Sequence, residues 1–459
     1  MSASPVHVVV MAAGQGTRMR SARPKVLHPI AGRPMLAHVL DAARAIQPVA
    51  IAVVVGHGAD DVERELASSG LTFVRQDPPR GTGDAVRVAL AQLPRDGVTV
   101  VINGDTPLIP SPLLHTLAER GARGHLALLT ARAPDPSGLG RIVRDGAGSV
   151  KRIVEDRDAS PAERAIDEIY TGVLAAPTAL LAAWVAKLAP HNAQNEYYLT
   201  DVVGAAIADG VTVDAVIAPD ERDTRGVNDR AQLADVERIV QLRLAETLMR
   251  AGTTIADPAR FDLRGTLSCG RDVAIDIGCI FEGRVVLGDG ARVGPHCVLR
   301  DCEVGAGSEV RAFSIVDGAR IGANAWVGPY ARIRPGTTLA DEVHIGNFVE
   351  VKASTLGRGS KANHLAYVGD TSIGERVNFG AGSITANYDG ANKNRTTIGD
   401  DASIGSNVVL VAPIEVGAGA TVAGGSTISK DAPPGELTVA RARQTTVQGW
   451  KRPSKKPRK

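Results

Sequence analysis

Residues 397–428 read TIGDDASIGSNVVLVAPIEVGAGATVAGGSTI. Within this stretch Ile398, Ile404, Leu410, Val416, Val422 and Ile428 recur at every sixth position, and Gly399, Gly405 and Gly417 follow three of them. An α-helix repeats every 3.6 residues and a strand every two, so a step of six fits neither as one continuous element. It fits a parallel β-helix, in which each hexapeptide supplies one short strand and turns its aliphatic side chain into the stack. Toward the N-terminus the same step runs through Val327, Ile333, Leu339, Ile345 and Val351, and earlier through Leu287, Val293 and Leu299. Slips after Leu299 predict bulges or short loops. The repeats assign residues 253–437 to the β-helix. Between Lys361 and Arg395 the period is broken by Asn363, His364, Tyr367, Asn378, Asn387, Tyr388 and Lys393. A solenoid can be scaffold alone, but polar excursions from a rigid repeat are where function concentrates.

Ahead of the repeats the pattern changes. From Val6 to about Asn228, short β-branched runs (Val6 to Met11, Ala50 to Val55, Thr99 to Ile102, Leu126 to Thr130) alternate with helical stretches. That alternation predicts an α/β domain over residues 1–228, with a largely parallel sheet and ligands at the carboxyl ends of its strands. Leu233, Val236, Val240, Leu244 and Leu248 share one helical face before Gly252, which predicts a connecting helix over 229–252. Residues 438–459 read as an arm and basic tail containing Lys451, Arg452, Lys455, Lys456, Arg458 and Lys459, to which no function is assigned.

Composition narrows the class. A 44% hydrophobic and 22% charged chain can build large cores, and 50 glycines against 3% aromatics favour tight turns and small-residue packing. With 52 basic and 50 acidic residues there is no field to attract nucleic acid. Cys269, Cys279, Cys297 and Cys302 lack zinc-site spacing and are too few for a disulfide framework, so reduced thiols are expected. The Val6 to Ala13 run is too short to cross a bilayer. A cytoplasmic protein is the expectation.

The chemistry starts where the first strand ends, in Ala12-Ala13-Gly14-Gln15-Gly16-Thr17-Arg18-Met19, with Pro24-Lys25 close behind. Small residues there expose backbone N–H groups to a phosphate or base, and Arg18 and Lys25 supply positive charge. Neither the Walker lysine arrangement nor GxGxxG spacing is present, which disfavours kinases and dehydrogenases. Downstream stand Gln76, Gly81-Thr82-Gly83, Gly104-Asp105, Gly140-Arg141, Glu155 and Asn228. Together these residues resemble the signature of sugar-1-phosphate nucleotidyltransferases. The resemblance implies that Asp105 and Asn228 hold Mg²⁺, a hard ion that bridges substrate phosphates. It also implies that Ala12, Ala13, Gly14, Gln76, Gly81 and Thr82 hold the uridine of UTP, and that Gly140 and Glu155 face the sugar. One departure is plain: Glu168-Ile169-Tyr170-Thr171-Gly172 puts the phenol of Tyr170 where the family usually has asparagine, at a sugar-proximal position, and Leu139 stands where an aromatic residue is common.

Within the repeats, Asn347-Phe348-Val349-Glu350-Val351-Lys352, the Lys361 to Tyr367 run and the Asn387 to Lys393 run are similar to motifs of bifunctional N-acetylglucosamine-1-phosphate uridyltransferase / glucosamine-1-phosphate N-acetyltransferase enzymes. The likeness extends to Arg441 and Gly449-Trp450. The fold it implies is an α/β nucleotidyltransferase (Rossmann-like) domain followed by a left-handed parallel β-helix of hexapeptide repeats. Acyl transfer to an amine needs a base, and among ten histidines the motif selects His364. By resemblance, Arg334, Lys352, Tyr367, Asn378 and Lys393 hold a sugar phosphate, and Ala381, Asn387, Tyr388, Ser406, Ala423 and Arg441 lie along acetyl-CoA. The implied enzyme acetylates glucosamine 1-phosphate, then couples the product to UTP for cell-wall and lipopolysaccharide synthesis, as a homotrimer. Two alternatives stay open: a pyrophosphorylase whose β-helix is scaffold only, and a subunit that keeps both folds without chemistry.

Overall fold

A computed structural model describes residues 4–67, 70–190, 192, 194–453 and 455; Lys456, Arg458 and Lys459 of the basic tail lie outside the described residues. The chain forms two compact units, residues 1–240 and 241–459.

In the first unit, strand Val6–Ala12 is so rich in valine that Val8, Val9 and Val10 are all fully buried. A strand buried on both faces belongs in the middle of a covered parallel sheet. It pairs in parallel with Ala50–Val55 on one side and Val98–Asn103 on the other. The sheet order across the unit is Val213–Ile217, Leu126–Arg132, Glu168–Pro177, Val98–Asn103, Val6–Ala12, Ala50–Val55, Leu71–Arg75. Only Glu168–Pro177 on this path runs antiparallel to its neighbours, and it also carries the hairpin Gly140–Arg144/Val150–Val154. The alternation of strand side chains divides the core in two: Val8, Val10 and Ala12 face one helical layer, Val9 and Ala13 the other. All the parallel strands point their carboxyl ends the same way, so the glycine loop after Ala12 and the Gly104-Asp105 turn after Asn103 emerge together.

Helix Arg230–Arg250 belongs to both units. Its Leu233, Val236, Ile239 and Val240 pack with Ile30, Met35, Leu108 and Val227. From Gln241 onward, Leu244, Ala245, Leu248 and Met249 pack with the core of the repeats.

The second unit is a left-handed parallel β-helix made of strands mostly two or three residues long. Glu303 lies beside Arg320 and Arg320 beside Thr338, so one coil takes 17 or 18 residues. Both hexapeptide series point inward: Val327 to Val351 and Ile398 to Ile428 are at most 3% exposed. The predicted slips are not bulges or loops. Leu299 to Val304, Val316 to Ile321, Val351 to Leu356 and Val368 to Ile373 each skip one residue at the same corner of the coil. Asp301, Gly318, Ala353 and Asp370 turn that tight corner with φ between 43° and 54°. The expected break over Lys361 to Arg395 also needs correcting. The rungs continue through buried Ala362, Val368, Ile373, Phe379 and Thr385, and the chain leaves the coil only over residues 387–395. Small Ala362 and polar Thr385 hid the period. Thr385 is tolerated inside because its hydroxyl accepts from the Gly369 N–H (2.8 Å) and donates to the Gly369 carbonyl (3.1 Å).

The first coil has no rung before it, which would leave the edge of strand Asp262–Cys269 bare. The buried carboxamide of Gln241 fills the place of a strand: it donates to the Leu263 carbonyl (2.9 Å) and accepts from the Leu263 N–H (2.7 Å). Gln241→Leu keeps the volume but orphans two buried backbone groups, so it is expected to destabilise the second unit by about 2 kcal/mol or more, read as a lower urea midpoint for that unit's unfolding.

Candidate active sites

At the carboxyl ends of the central strands two cavities, each of about 520 Å³, meet at Asn103 and Asp105. The first of them is walled by Ala12, Ala13, Gly14, Lys25, Gln76, Gly81 and Thr82. All six residues read as the uridine site therefore lie with Lys25 around one space. Gly81 sits at φ 109°, and a Cβ there would lie 2.7 Å from the Tyr197 carbonyl, so no other residue lets the loop close on that segment. Gln76 is held by its Nε2, which donates to the Gly81 carbonyl (3.1 Å) and Asp84 (2.9 Å).

Asp105, Asn228 and Tyr170 line the other cavity. The Lys25 ammonium donates to the Asp105 carboxylate and to Asn228 Oδ1 (3.2 Å), so these two side-chain oxygens converge on one cationic point. A carboxylate and an amide oxygen form a hard donor set that suits Mg²⁺ shared with substrate phosphates. Among the described residues no group of three or more His, Cys, Asp or Glu could hold a metal by itself.

Arg18 stands elsewhere. It lines a third space of about 440 Å³ with Gly138, Glu155, Asp156 and Tyr198. Glu155 is largely buried; burial raises its carboxyl above the ordinary range, against a 3.3 Å hydrogen bond from Thr200, and Asp158, Asp201 and Asp156 add to the rise. Gly140 is the register partner of Tyr170, and a Cβ on it would come within 3.5 Å of the Glu155 carboxylate. The Tyr170 hydroxyl is buried with no hydrogen-bond partner among the described residues. Burial, then the Glu155 charge, push its titration far upward, so it remains a neutral donor. Leu139 lines the same cavity as Tyr170, so both departures from the family motif fall in one place.

The residue missed by sequence reading is Asn103, which lines both large cavities. Gly172 exists for it: at φ 83° a Cβ would lie 2.0 Å from Asn103 Nδ2. Glu168, which opens the same motif, lines neither large cavity and is tied to Arg144 (2.6 Å) and Thr130 (3.0 Å).

On the β-helix, His364 Nδ1 lies 2.9 Å from Asn347 Oδ1. At the tight corner Lys352 contacts Asp370 (3.3 Å), and Asn387 donates to the same carboxylate and lies 3.5 Å from the Tyr367 hydroxyl. Arg334 is paired with Glu350 at 2.8 Å. The Lys393 ammonium titrates below its ordinary range because Lys352 touches and repels it, with Arg334 adding to the effect. Asn378 sits on the eleven-strand sheet between Lys361 and Ser403, whereas Lys352 and Tyr367 belong to the seventeen-strand one. Asp370 and Glu350 are the partners that sequence reading left without a role; the position after Gly369 at the repeated tight corner was the available signal. A column of corners leads away from His364: Gly382 N–H donates to its carbonyl (3.3 Å), Asn407 to Ala381 (2.8 Å), and Gly425 to Ser406 (2.8 Å). Ala423 bonds Thr438 (2.9 Å), and the Arg441 guanidinium caps the Gly424 carbonyl (2.8 Å). Tyr388 opens the 387–395 loop with its hydroxyl on the Gly390 carbonyl (2.6 Å).

Residues 8–191 match a MobA-like NTP transferase domain, residues 263–356 a GMPPB C-terminal domain, and residues 395–430 the bacterial transferase hexapeptide family (six repeats). The chain is 58% identical over 458 residues to the bifunctional protein GlmU of Methylibium petroleiphilum, covering 98% of this chain and 100% of that one. It is 57% identical over 456 residues to the bifunctional protein GlmU of Bordetella parapertussis, with 98% and 100% covered, and 54% identical over 450 residues to that of an Azoarcus strain, with the same coverage.

Because the Tyr170 hydroxyl is buried and unpaired, Tyr170→Phe is expected to leave thermal stability unchanged or raise it by up to about 1 kcal/mol, which a melting curve reads directly. A clear loss of stability would mean that the hydroxyl has a partner in solution.

Proposed function

The chain belongs to the bifunctional GlmU family, and from that premise we propose that its two activities run on the two separate residue sets described above. It acetylates glucosamine 1-phosphate from acetyl-CoA, then transfers a uridylyl group from UTP to the resulting N-acetylglucosamine 1-phosphate and releases pyrophosphate. The product, UDP-N-acetylglucosamine, serves cell-wall synthesis.

In the uridylyl transfer, Ala12, Ala13, Gly14, Gln76, Gly81 and Thr82 hold the nucleotide, and Gly140, Glu155 and Tyr170 orient the sugar. The observation that carries this reading is the junction of two cavities at Asn103 and Asp105, with Lys25 bonded to Asp105 from one of them. A nucleotide in one space and a sugar phosphate in the other would meet there for in-line attack of the phosphate oxygen on the α-phosphorus. No protein nucleophile is needed, because alignment and charge neutralisation carry such transfers. Asp105 and Asn228 would hold Mg²⁺, which would supply positive charge to neutralise substrate phosphates. Lys25 neutralises phosphate charge directly, and Arg18 approaches from the Glu155 side.

For acetyl transfer, His364 accepts the proton of the attacking amine. Arg334, Lys352 and Lys393 hold the sugar phosphate, with Tyr367 and Asn378 as polar contacts, and the Lys352–Lys393 repulsion supports that reading, since an anion relieves it. Acetyl-CoA follows the column of corners through Ala381, Ser406 and Ala423 toward Arg441, with Asn387 and Tyr388 at its reactive end. Self-association as a trimer and a cytoplasmic location complete the reading. Four free cysteines, three of them buried, suit a reducing compartment. Among the described residues no helix is long and apolar enough to cross a membrane.

Asp105→Ala is expected to abolish pyrophosphate release while acetylation, followed as free CoA thiol, stays near wild type. His364→Ala should lower acetylation by about 100-fold or more and spare uridylyl transfer; equal loss of both in either variant would refute two separate sites. The raised Glu155 carboxyl gives a pH signature. As pH falls through its elevated titration the carboxylate gains a proton and loses an acceptor, so KM for N-acetylglucosamine 1-phosphate should rise toward acid pH, and Glu155→Gln should flatten that dependence.

A further inference from the structure

A neutral imidazole carries its hydrogen on Nδ1 or Nε2, and only the bare nitrogen can act as a base. In His364 that choice is made by a neighbour. Nδ1 lies 2.9 Å from Oδ1 of Asn347, and a carboxamide oxygen only accepts, so Nδ1 is the donor and Nε2 keeps its lone pair. The coil itself creates the contact. Asn347 and His364 are register partners on successive rungs, and the residues after them, Phe348 and Leu365, turn the corner at φ 56° and 48°. Gly346 lets the rungs close at this point, since a Cβ there would stand 1.9 Å from the Asn363 carbonyl oxygen.

We propose that Asn347 is a positioning residue for acetyl transfer, its carboxamide holding His364 as the Nδ1–H tautomer so that Nε2 takes the amine proton. The inference rests on His364 being the base. In the step, the amine nitrogen bonds to the acetyl carbon and gives its proton to Nε2. The C–S bond then breaks, its electron pair leaves on the CoA sulfur, and the proton on Nε2 neutralises the thiolate. A neutral amide suits this role better than a carboxylate. It fixes the tautomer and stabilises the imidazolium less than a carboxylate would, so the ring returns its proton more readily to the departing sulfur.

The test uses the full-length enzyme labelled with ¹⁵N-histidine, the His364 signal being identified by its loss in His364→Asn. The wild-type spectrum is expected to show Nδ1 protonated; an Nε2–H tautomer would overturn the proposal without any change at Asn347. Asn347→Asp should move the acid limb of kcat/KM for acetyl transfer upward by about one pH unit or more. Asn347→Ala should lower its kcat about tenfold or more, with KM for both substrates and the uridylyl transfer rate little changed. An Asn347→Asp profile that superimposes on wild type, with an unchanged melting curve, refutes the role of Asn347. Full acetylation by His364→Ala would instead remove the underlying reading of His364 as the base.

Discussion

Rung-on-rung registry governs the second unit. Most backbone hydrogen bonds in the coil join one rung to the next, typically 16 to 19 residues along the chain, so each residue's environment is set by what stands one turn before and after it. This constraint explains the glycines that no turn requires: Gly346, Gly357 and Gly380 leave no room for a Cβ because the next rung passes within 2.5 Å or less of where it would be. It also explains why polar function collects at corners. Inward positions must be apolar or, like Thr385, internally bonded, whereas a corner repeated on each turn places side chains from distant parts of the sequence in contact. Asn347 meets His364, and Lys352 meets Asp370 and through it Asn387, by this route alone.

In the first unit the equivalent constraint is the parallel sheet, which delivers the ends of several strands to one rim. Both units hold their charged groups in readiness by internal pairing. Arg334 rests on Glu350, Lys352 on Asp370, and Arg141, nearly fully buried, on Asp156 at 3.0 Å. Buried or half-buried charges would be costly alone, and pairing fixes their positions before a ligand arrives.

Much of this was legible because both units repeat a simple rule. The valine runs and the six-residue step announce a sheet and a coil directly, since burial demands them at fixed spacing. What was hidden followed from contacts with no sequence periodicity. Asn103 carries no motif, and its role appears only when the sheet brings it beside Gly172. Asp370 and Glu350 act through partners 18 and 16 residues away, a distance that has meaning only once the coil is known. The polar stretch after Lys361 looked like a long break because Thr385 obeys the repeat by geometry and not by hydrophobicity.

Lys25 ties the cavity beside Gly14 to the side-chain oxygens of Asp105 and Asn228. Its ammonium already neutralises the Asp105 carboxylate and sits against Asn228, with both ion-pair side chains largely shielded from water. Any cation approaching those two oxygens competes with Lys25, because like charges cannot share so small a space in a low-dielectric setting. A polyphosphate beside Gly14 removes the conflict by offering Lys25 a new anionic partner within the same cavity, which it lines together with Asp105. A nucleotide and a cation bound there would therefore favour each other through one side chain.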